Sequence, residues 1–118
     1  GDVYKRQAHA LRGLGVEPVI VSRTAREGVI TYDDLTPEVM ASHTVIVNTT
    51  PLGMYPNVDN CPDIPYECLT SDHICYDLLY NPGTTLFMHK AAEHGAVTKN
   101  GLEMLLLQAF VSWNIWNK

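Results

Sequence analysis

The side chains best suited to binding a phosphate follow directly on a short apolar run at residues 18–22. They are two hydroxyls and two guanidinium groups, from Ser22, Arg23, Thr24 and Arg26. In dinucleotide-binding folds an acid at this position bonds the 2′-hydroxyl of NAD, whereas an arginine accommodates the 2′-phosphate of NADP. The cluster therefore favours NADP, although taken alone it is more simply explained as a solvated turn with two surface arginines.

A second polar cluster, Asn48-Thr49-Thr50, follows the apolar run at residues 44–48. It offers amide and hydroxyl groups, and Gly53 permits a close backbone approach to a ligand. A plain turn after a strand favours the same residue types. The segment is thus equally consistent with a loop and with a ligand site.

Two further polar groups lie near the apolar run at residues 74–78 and on the helix predicted at residues 101–116. Tyr80, just after residues 74–78, could donate a hydrogen bond from its phenol to a carboxylate, or it could cover the edge of a sheet. On the last helix, Gly101 and Gln108 are seven residues apart and project in nearly the same direction. A bare glycine beside an amide would suit a cofactor edge and a polar substrate, whereas a surface glutamine is the usual alternative.

These positions follow from an alternation of strands and helices along the chain. Short, mainly apolar runs predict strands at residues 18–22, 44–48, 74–78 and 97–98. Helical spacing and capping residues predict helices at residues 8–14, 37–41, 85–94 and 101–116. Strands without a polar face that alternate with helices indicate a doubly wound, mostly parallel α/β sheet. Ligands in such sheets bind beyond the carboxyl ends of the strands, where the clusters lie.

Composition limits the possible partners and the compartment. The formal charge of −5 argues against binding to nucleic acid or to an anionic membrane surface, and no segment is apolar for long enough to span a bilayer. The chain has three cysteines, an odd number, and they are spaced seven residues apart. This count and spacing suit neither a disulfide framework nor a zinc site. We therefore expect reduced thiols, a cytoplasmic location and no metal.

The amino terminus differs from the rest of the chain. Residues 1–7 read GDVYKRQ, with no hydrophobic period, and resemble a translated sequencing adapter. We expect them to be non-native and the functional domain to span residues 8–118.

Taken together, the ordered clusters resemble the shikimate dehydrogenase family from about residue 8 onwards. The family's Asn-Arg-Thr cluster is similar to Ser22-Arg23-Thr24, and its Asn-Ala/Thr-Thr/Ser loop is similar to Asn48-Thr49-Thr50. Its Tyr-Asp-x-x-Tyr strand end and its Gly-x-x-Met-Leu-x-x-Gln-Ala helix correspond to Tyr76, Asp77, Tyr80, Gly101, Met104, Leu105, Gln108 and Ala109.

The resemblance implies a Rossmann-like domain that binds NADP, lacking its first strand and its glycine-rich turn. The implied cofactor contacts are Ser22, Arg23, Thr24, Arg26, Asn48, Thr49, Thr50, Leu78 and Gly101. Tyr80 and Gln108 are the implied contacts to substrate. The full enzyme would reduce 3-dehydroshikimate to shikimate with NADPH, in the biosynthesis of aromatic amino acids.

The same resemblance implies that this chain is a fragment, inactive alone. The family's catalytic lysine and aspartate belong to an earlier substrate domain, so none of the residues here is expected to be catalytic. Ser22 replaces the family's asparagine and Arg26 comes one place early, which leaves open an NAD-dependent quinate/shikimate dehydrogenase. The absence of a catalytic base also leaves open a noncatalytic nucleotide-binding module.

Overall fold

The computed structural model of the chain describes residues 9, 12–13, 15, 17–78 and 83–101. Its regular elements are, in order, β1 (Ile20–Ser22), β2 (Val29–Thr31), α1 (Pro37–Ser42), β3 (Val45–Asn48), β4 (Ile74–Asp77), α2 (Leu86–Glu93) and β5 (Val97–Lys99). Short 3-10 turns occupy Tyr32–Asp34 and Tyr66–Cys68. None of the helices in this part of the chain is long and apolar enough to cross a membrane.

The strands form two parallel sheets. β1 pairs with β2, and β4 lies between β3 and β5 in a three-stranded sheet. Because β3 and β4 run in the same direction, their carboxyl ends meet at one edge, where Asn48 lies opposite Asp77. Parallel strands alternating with helices confirm the predicted α/β class.

Both described helices begin at a threonine cap, and the sequence predicts the first of these caps, Thr36, from its position before Pro37. The Thr36 hydroxyl accepts a hydrogen bond from the Val39 amide at 3.3 Å, and Pro37 occupies the first turn of α1. Thr85 caps α2 by accepting from the Met88 amide at 3.4 Å. The helix predicted at residues 8–14 lies mostly outside the described residues, as does the helix predicted at 101–116 beyond its first residue.

A hydrophobic core lies between the three-stranded sheet, α2 and the segment that precedes β4. Its buried members are Met40, Ile64, Tyr66, Leu69, Cys75, Phe87, Met88, Ala91 and Ala96. The rings of Tyr66 and Phe87 meet edge to face with centroids 6.2 Å apart, and the Lys90 ammonium lies 5.2 Å from the Tyr66 ring centroid. This packing fixes α2, and with it Thr85, against the end of β4.

Two features of the sheets differ from the sequence predictions. β2 was not predicted, because it has only three residues and follows a glycine turn, so its pattern is too short to signal a strand. The strands are also less buried than predicted: β4 alternates between buried and half-buried residues, and Val45 and Val97 are 56% and 46% exposed. Both valines begin their strands, at the edge opposite the polar clusters.

Candidate cofactor site

The carboxyl ends of β3 and β4 are joined by a buried hydrogen-bond network around Asp77. The Asp77 side chain is fully buried, and its Oδ2 accepts from the Asn48 amide at 3.2 Å and from the Thr85 hydroxyl at 2.7 Å. A buried carboxylate is costly unless donors compensate it, and the Asn48 amide and the Thr85 hydroxyl are among the donors that do so. Asp77 therefore connects the end of β3 to the start of α2.

The loop after β3 continues this network. Asn48 Oδ1 accepts from both the backbone amide of Thr50, at 3.0 Å, and its hydroxyl, at 2.6 Å. The Thr50 hydroxyl accepts in turn from the Leu52 amide at 3.3 Å. Side-chain to backbone bonds of this kind hold a turn in one conformation.

Gly53 closes this loop against neighbouring segments. It is buried with φ +97°, a conformation that favours glycine, and an added Cβ would lie 3.1 Å from the Asn60 carbonyl oxygen. The same Cβ would lie 3.5 Å from Thr85 Cβ. The loop of residues 49–54 is thus held at both ends.

The end of β1 presents an exposed basic turn. Arg23, Thr24 and Arg26 are exposed, and Ser22 Oγ accepts from the Thr24 amide at 3.4 Å. Burial raises the pKa of nearby Tyr32, and the positive charge of Arg23 partly offsets that rise. An exposed guanidinium in such a turn can reach a phosphate from solvent.

The end of β4 makes an unusually close approach to Gly101. Leu78 is half-buried, and its amide donates to the Asn48 carbonyl at 3.2 Å. A Cβ built at Gly101 would collide with the Leu78 carbonyl. Only glycine allows the two backbones to approach this closely.

The structure brings together some of the residues predicted to contact the cofactor. Asn48, Thr50 and Leu78 come together at the adjoining ends of β3 and β4, and Gly101 packs against Leu78. Tyr80 and Gln108 lie outside the described residues. Within the described part of the chain, no group of three or more His, Cys, Asp or Glu side chains could hold a metal ion.

Sequence reasoning did not assign roles to the two residues that organise this network, Asp77 and Thr85. The available signal was an acidic residue inside an otherwise apolar strand pattern, since such a residue is buried only with compensating donors. Thr85 was recognised only as part of a helical segment.

Comparison with known proteins supports one family, although no family model matches the chain. A shikimate dehydrogenase (NADP(+)) of Methanococcus aeolicus is 40% identical over 111 residues, covering 82% of this chain and 40% of the relative. The enzyme of that name from Carboxydothermus hydrogenoformans is 36% identical over 130 residues, covering 98% and 46%. The chain thus spans less than half the length of these curated relatives.

A solved structure agrees with this comparison. Shikimate 5-dehydrogenase from Thermus thermophilus, in complex with NADP(H) and shikimate, superposes with a TM-score of 0.65 at 26% identity. The match covers 92% of this chain and 43% of that chain. The shared sequence and the shared parallel α/β fold establish that this chain belongs to the shikimate dehydrogenase family.

Proposed function

We propose that residues 8–118 form the NADP-binding region of a shikimate dehydrogenase. The observation that carries this proposal is Arg23, which is exposed just beyond the carboxyl end of β1. No acidic residue accompanies it in the turn of residues 22–26, so the turn favours a 2′-phosphate over a 2′-hydroxyl. Ser22, Thr24 and Arg26 would add donors around that phosphate.

The other predicted cofactor contacts would hold the nicotinamide end. The loop beginning at Asn48, Thr49 and Thr50 lies beside Leu78, and Gly101 packs closely against the Leu78 backbone. When bound, NADPH supplies the hydride. The contribution of this chain would be to orient the nicotinamide toward the substrate.

Within the complete enzyme, the substrate would be 3-dehydroshikimate and the product shikimate. Tyr80 and Gln108 are the proposed substrate contacts, and an earlier substrate domain would provide the catalytic lysine and aspartate. The three cysteines of this chain are free thiols, which accords with a cytoplasmic location.

Nucleotide titration tests the cofactor assignment. The 118-residue chain is titrated with NADPH and with NADH, and binding is followed by nucleotide fluorescence. We expect NADPH to bind at least about tenfold more tightly, because the guanidinium of Arg23 gains a charged partner. Equal affinities would favour the NAD-dependent quinate/shikimate alternative, and failure of the folded chain to bind either would contradict the proposal.

Turnover tests the reaction. The complete gene product is assayed for NADPH oxidation with 3-dehydroshikimate, and with quinate and NAD in the reverse direction. NADPH-dependent reduction of 3-dehydroshikimate is the expected result. A complete protein that binds NADPH but turns over neither substrate would indicate a noncatalytic module.

A further inference from the structure

Both ends of the Asn48 side-chain amide are engaged inside the protein. The residue is only 4% exposed; its nitrogen donates to Asp77 Oδ2 and its oxygen accepts two hydrogen bonds from Thr50. We propose that Asn48 and Asp77 form a positioning pair, which sets the conformation of the loop at residues 49–54 without either side chain contacting the cofactor. This proposal rests on the proposed NADP-binding function and gives Asn48 a role other than direct contact.

Asp77 determines which way the Asn48 amide points. A carboxylate only accepts hydrogen bonds, so the Asn48 NH₂ group must face it. The Asn48 carbonyl oxygen must then face the loop, where it receives the amide and hydroxyl of Thr50. In the opposite orientation, the NH₂ group would face the Thr50 amide, another donor, and the Asn48 oxygen would face the Asp77 carboxylate.

The order imposed by Asp77 extends along the loop. Once Thr50 bonds Asn48, the Thr50 hydroxyl can accept from the Leu52 amide. A loop fixed before the nucleotide arrives loses less conformational entropy on binding, which increases affinity. Loss of Asp77 should therefore weaken cofactor binding through the loop, although Asp77 itself is fully buried.

Exchanging the side chains of Asn48 and Asp77 distinguishes a role in positioning the loop from a role in folding alone. Asp77→Asn can no longer enforce the amide orientation, and Asn48→Asp places two carboxylates side by side, which disfavours ionisation of both. In the double variant Asn48→Asp/Asp77→Asn, the donor and acceptor trade places. The new amide donates to the new carboxylate, which still accepts from Thr50. Asp77 Oδ2 accepts from both Asn48 and Thr85 in the unaltered chain, so the bond from the Thr85 hydroxyl is not restored.

We expect each single substitution to weaken NADPH binding by about tenfold, the loss associated with one hydrogen bond to a charged group. The double variant should bind NADPH more tightly than either single variant, since the hydrogen bonds of residue 48 to residue 77 and to Thr50 are restored. Thr36→Ala is the matched control: it removes the cap of α1, away from this network, and should lower the melting temperature without changing NADPH affinity.

The proposal of a positioning pair would be wrong if Asp77→Asn bound NADPH as tightly as the unaltered chain, or if the double variant bound it no more tightly than the single variants. It would also be wrong if Thr36→Ala weakened NADPH binding as much as Asp77→Asn. An unfolded Asp77→Asn chain, seen as loss of its circular dichroism, would also overturn it, because the role would then be in folding.

A measurement without nucleotide distinguishes failure of the pair from failure of the proposed function. Hydrogen exchange at the Thr50 amide should accelerate about tenfold in Asp77→Asn and return toward normal in the double variant. If that pattern holds but the unaltered chain does not bind NADPH, the pair stands and the cofactor assignment fails. Unchanged exchange in Asp77→Asn overturns the pair itself.

Discussion

The His73 imidazole joins the start of β4 to helix α1 through a hydrogen bond from its Nε2–H to the Met40 carbonyl, 2.8 Å away. The other ring nitrogen, Nδ1, accepts from the Thr70 amide at 3.0 Å, so the ring proton must reside on Nε2. His73 is 2% exposed, and Met40 belongs to the core. A neutral imidazole thus supplies one donor and one acceptor that the fold requires.

His73→Ala should reduce the free energy of unfolding by about 2–3 kcal/mol, because it leaves a carbonyl and an amide without their partner. Urea unfolding followed by circular dichroism measures the change. His89→Ala, at an exposed position on α2, serves as the control and should change stability by less than about 0.5 kcal/mol. Equal effects of the two substitutions would contradict the structural role of His73.

Gly101→Ala should destabilise the chain and weaken NADPH binding. An added methyl group would collide with the Leu78 carbonyl, which is backbone and cannot rotate away. We expect a loss of about 1–3 kcal/mol in unfolding free energy, despite the better helix propensity of alanine. Gly83→Ala is the control, since an added Cβ there has no neighbouring atom within 4 Å. Wild-type stability and affinity in Gly101→Ala would contradict the close approach.

Arg23→Ala should weaken NADPH binding by at least about tenfold and leave NADH binding unchanged, because only NADPH carries the 2′-phosphate. Titration of both nucleotides at two salt concentrations measures this difference. Arg12→Ala removes a different exposed guanidinium, which bonds Glu17 at 3.2 Å, and should alter neither affinity. A parallel loss for both nucleotides would argue against phosphate recognition by Arg23.

The Cys75 thiol should resist alkylation in the folded chain at about pH 8, below its ordinary pKa. It is fully buried, and because burial disfavours the thiolate, the pKa of Cys75 is raised from 9.0 to about 11. Cys61 and Cys68 are half-buried and should react first. Mass spectrometry after timed iodoacetamide treatment follows each site, and urea-unfolded protein provides the control. Modification of Cys75 as fast as Cys68 would contradict its burial.

The same shift in pKa predicts how stability depends on pH. The unfolded thiol ionises near pH 9.0, while the folded thiol stays protonated to about pH 11, so folding opposes ionisation. The contribution of Cys75 to stability is therefore full below about pH 9 and falls as the pH rises toward about 11. Urea midpoints across this range should fall less steeply for Cys75→Ala than for the unaltered chain.

The elements of the fold were largely predictable from local sequence. Short, mainly apolar runs located β1, β3, β4 and β5 to within about two residues at each end, and Thr36 marked the start of α1. These signals are local, because a strand that must be buried needs apolar residues and a helix start needs a hydroxyl cap. β2 was missed because its three residues become a strand only by pairing with β1.

The network at the site was not predictable, because it depends on register between distant segments. Asn48 meets Asp77 across 29 residues of chain, and only the parallel pairing of β3 with β4 brings them opposite each other. Thr85 reaches the same carboxylate because α2 packs on the core through Phe87 and Ala91. Local patterns indicate where each strand ends but not which side chains meet there.

The hydroxyl of Thr85 performs two tasks with one atom, since Oγ1 receives the Met88 amide while its hydrogen goes to Asp77. Aspartate caps helices equally well but would set a second negative charge against Asp77, and glycine has no side chain to donate to it. Serine, which keeps the hydroxyl, should consequently be tolerated at this position better than aspartate or glycine.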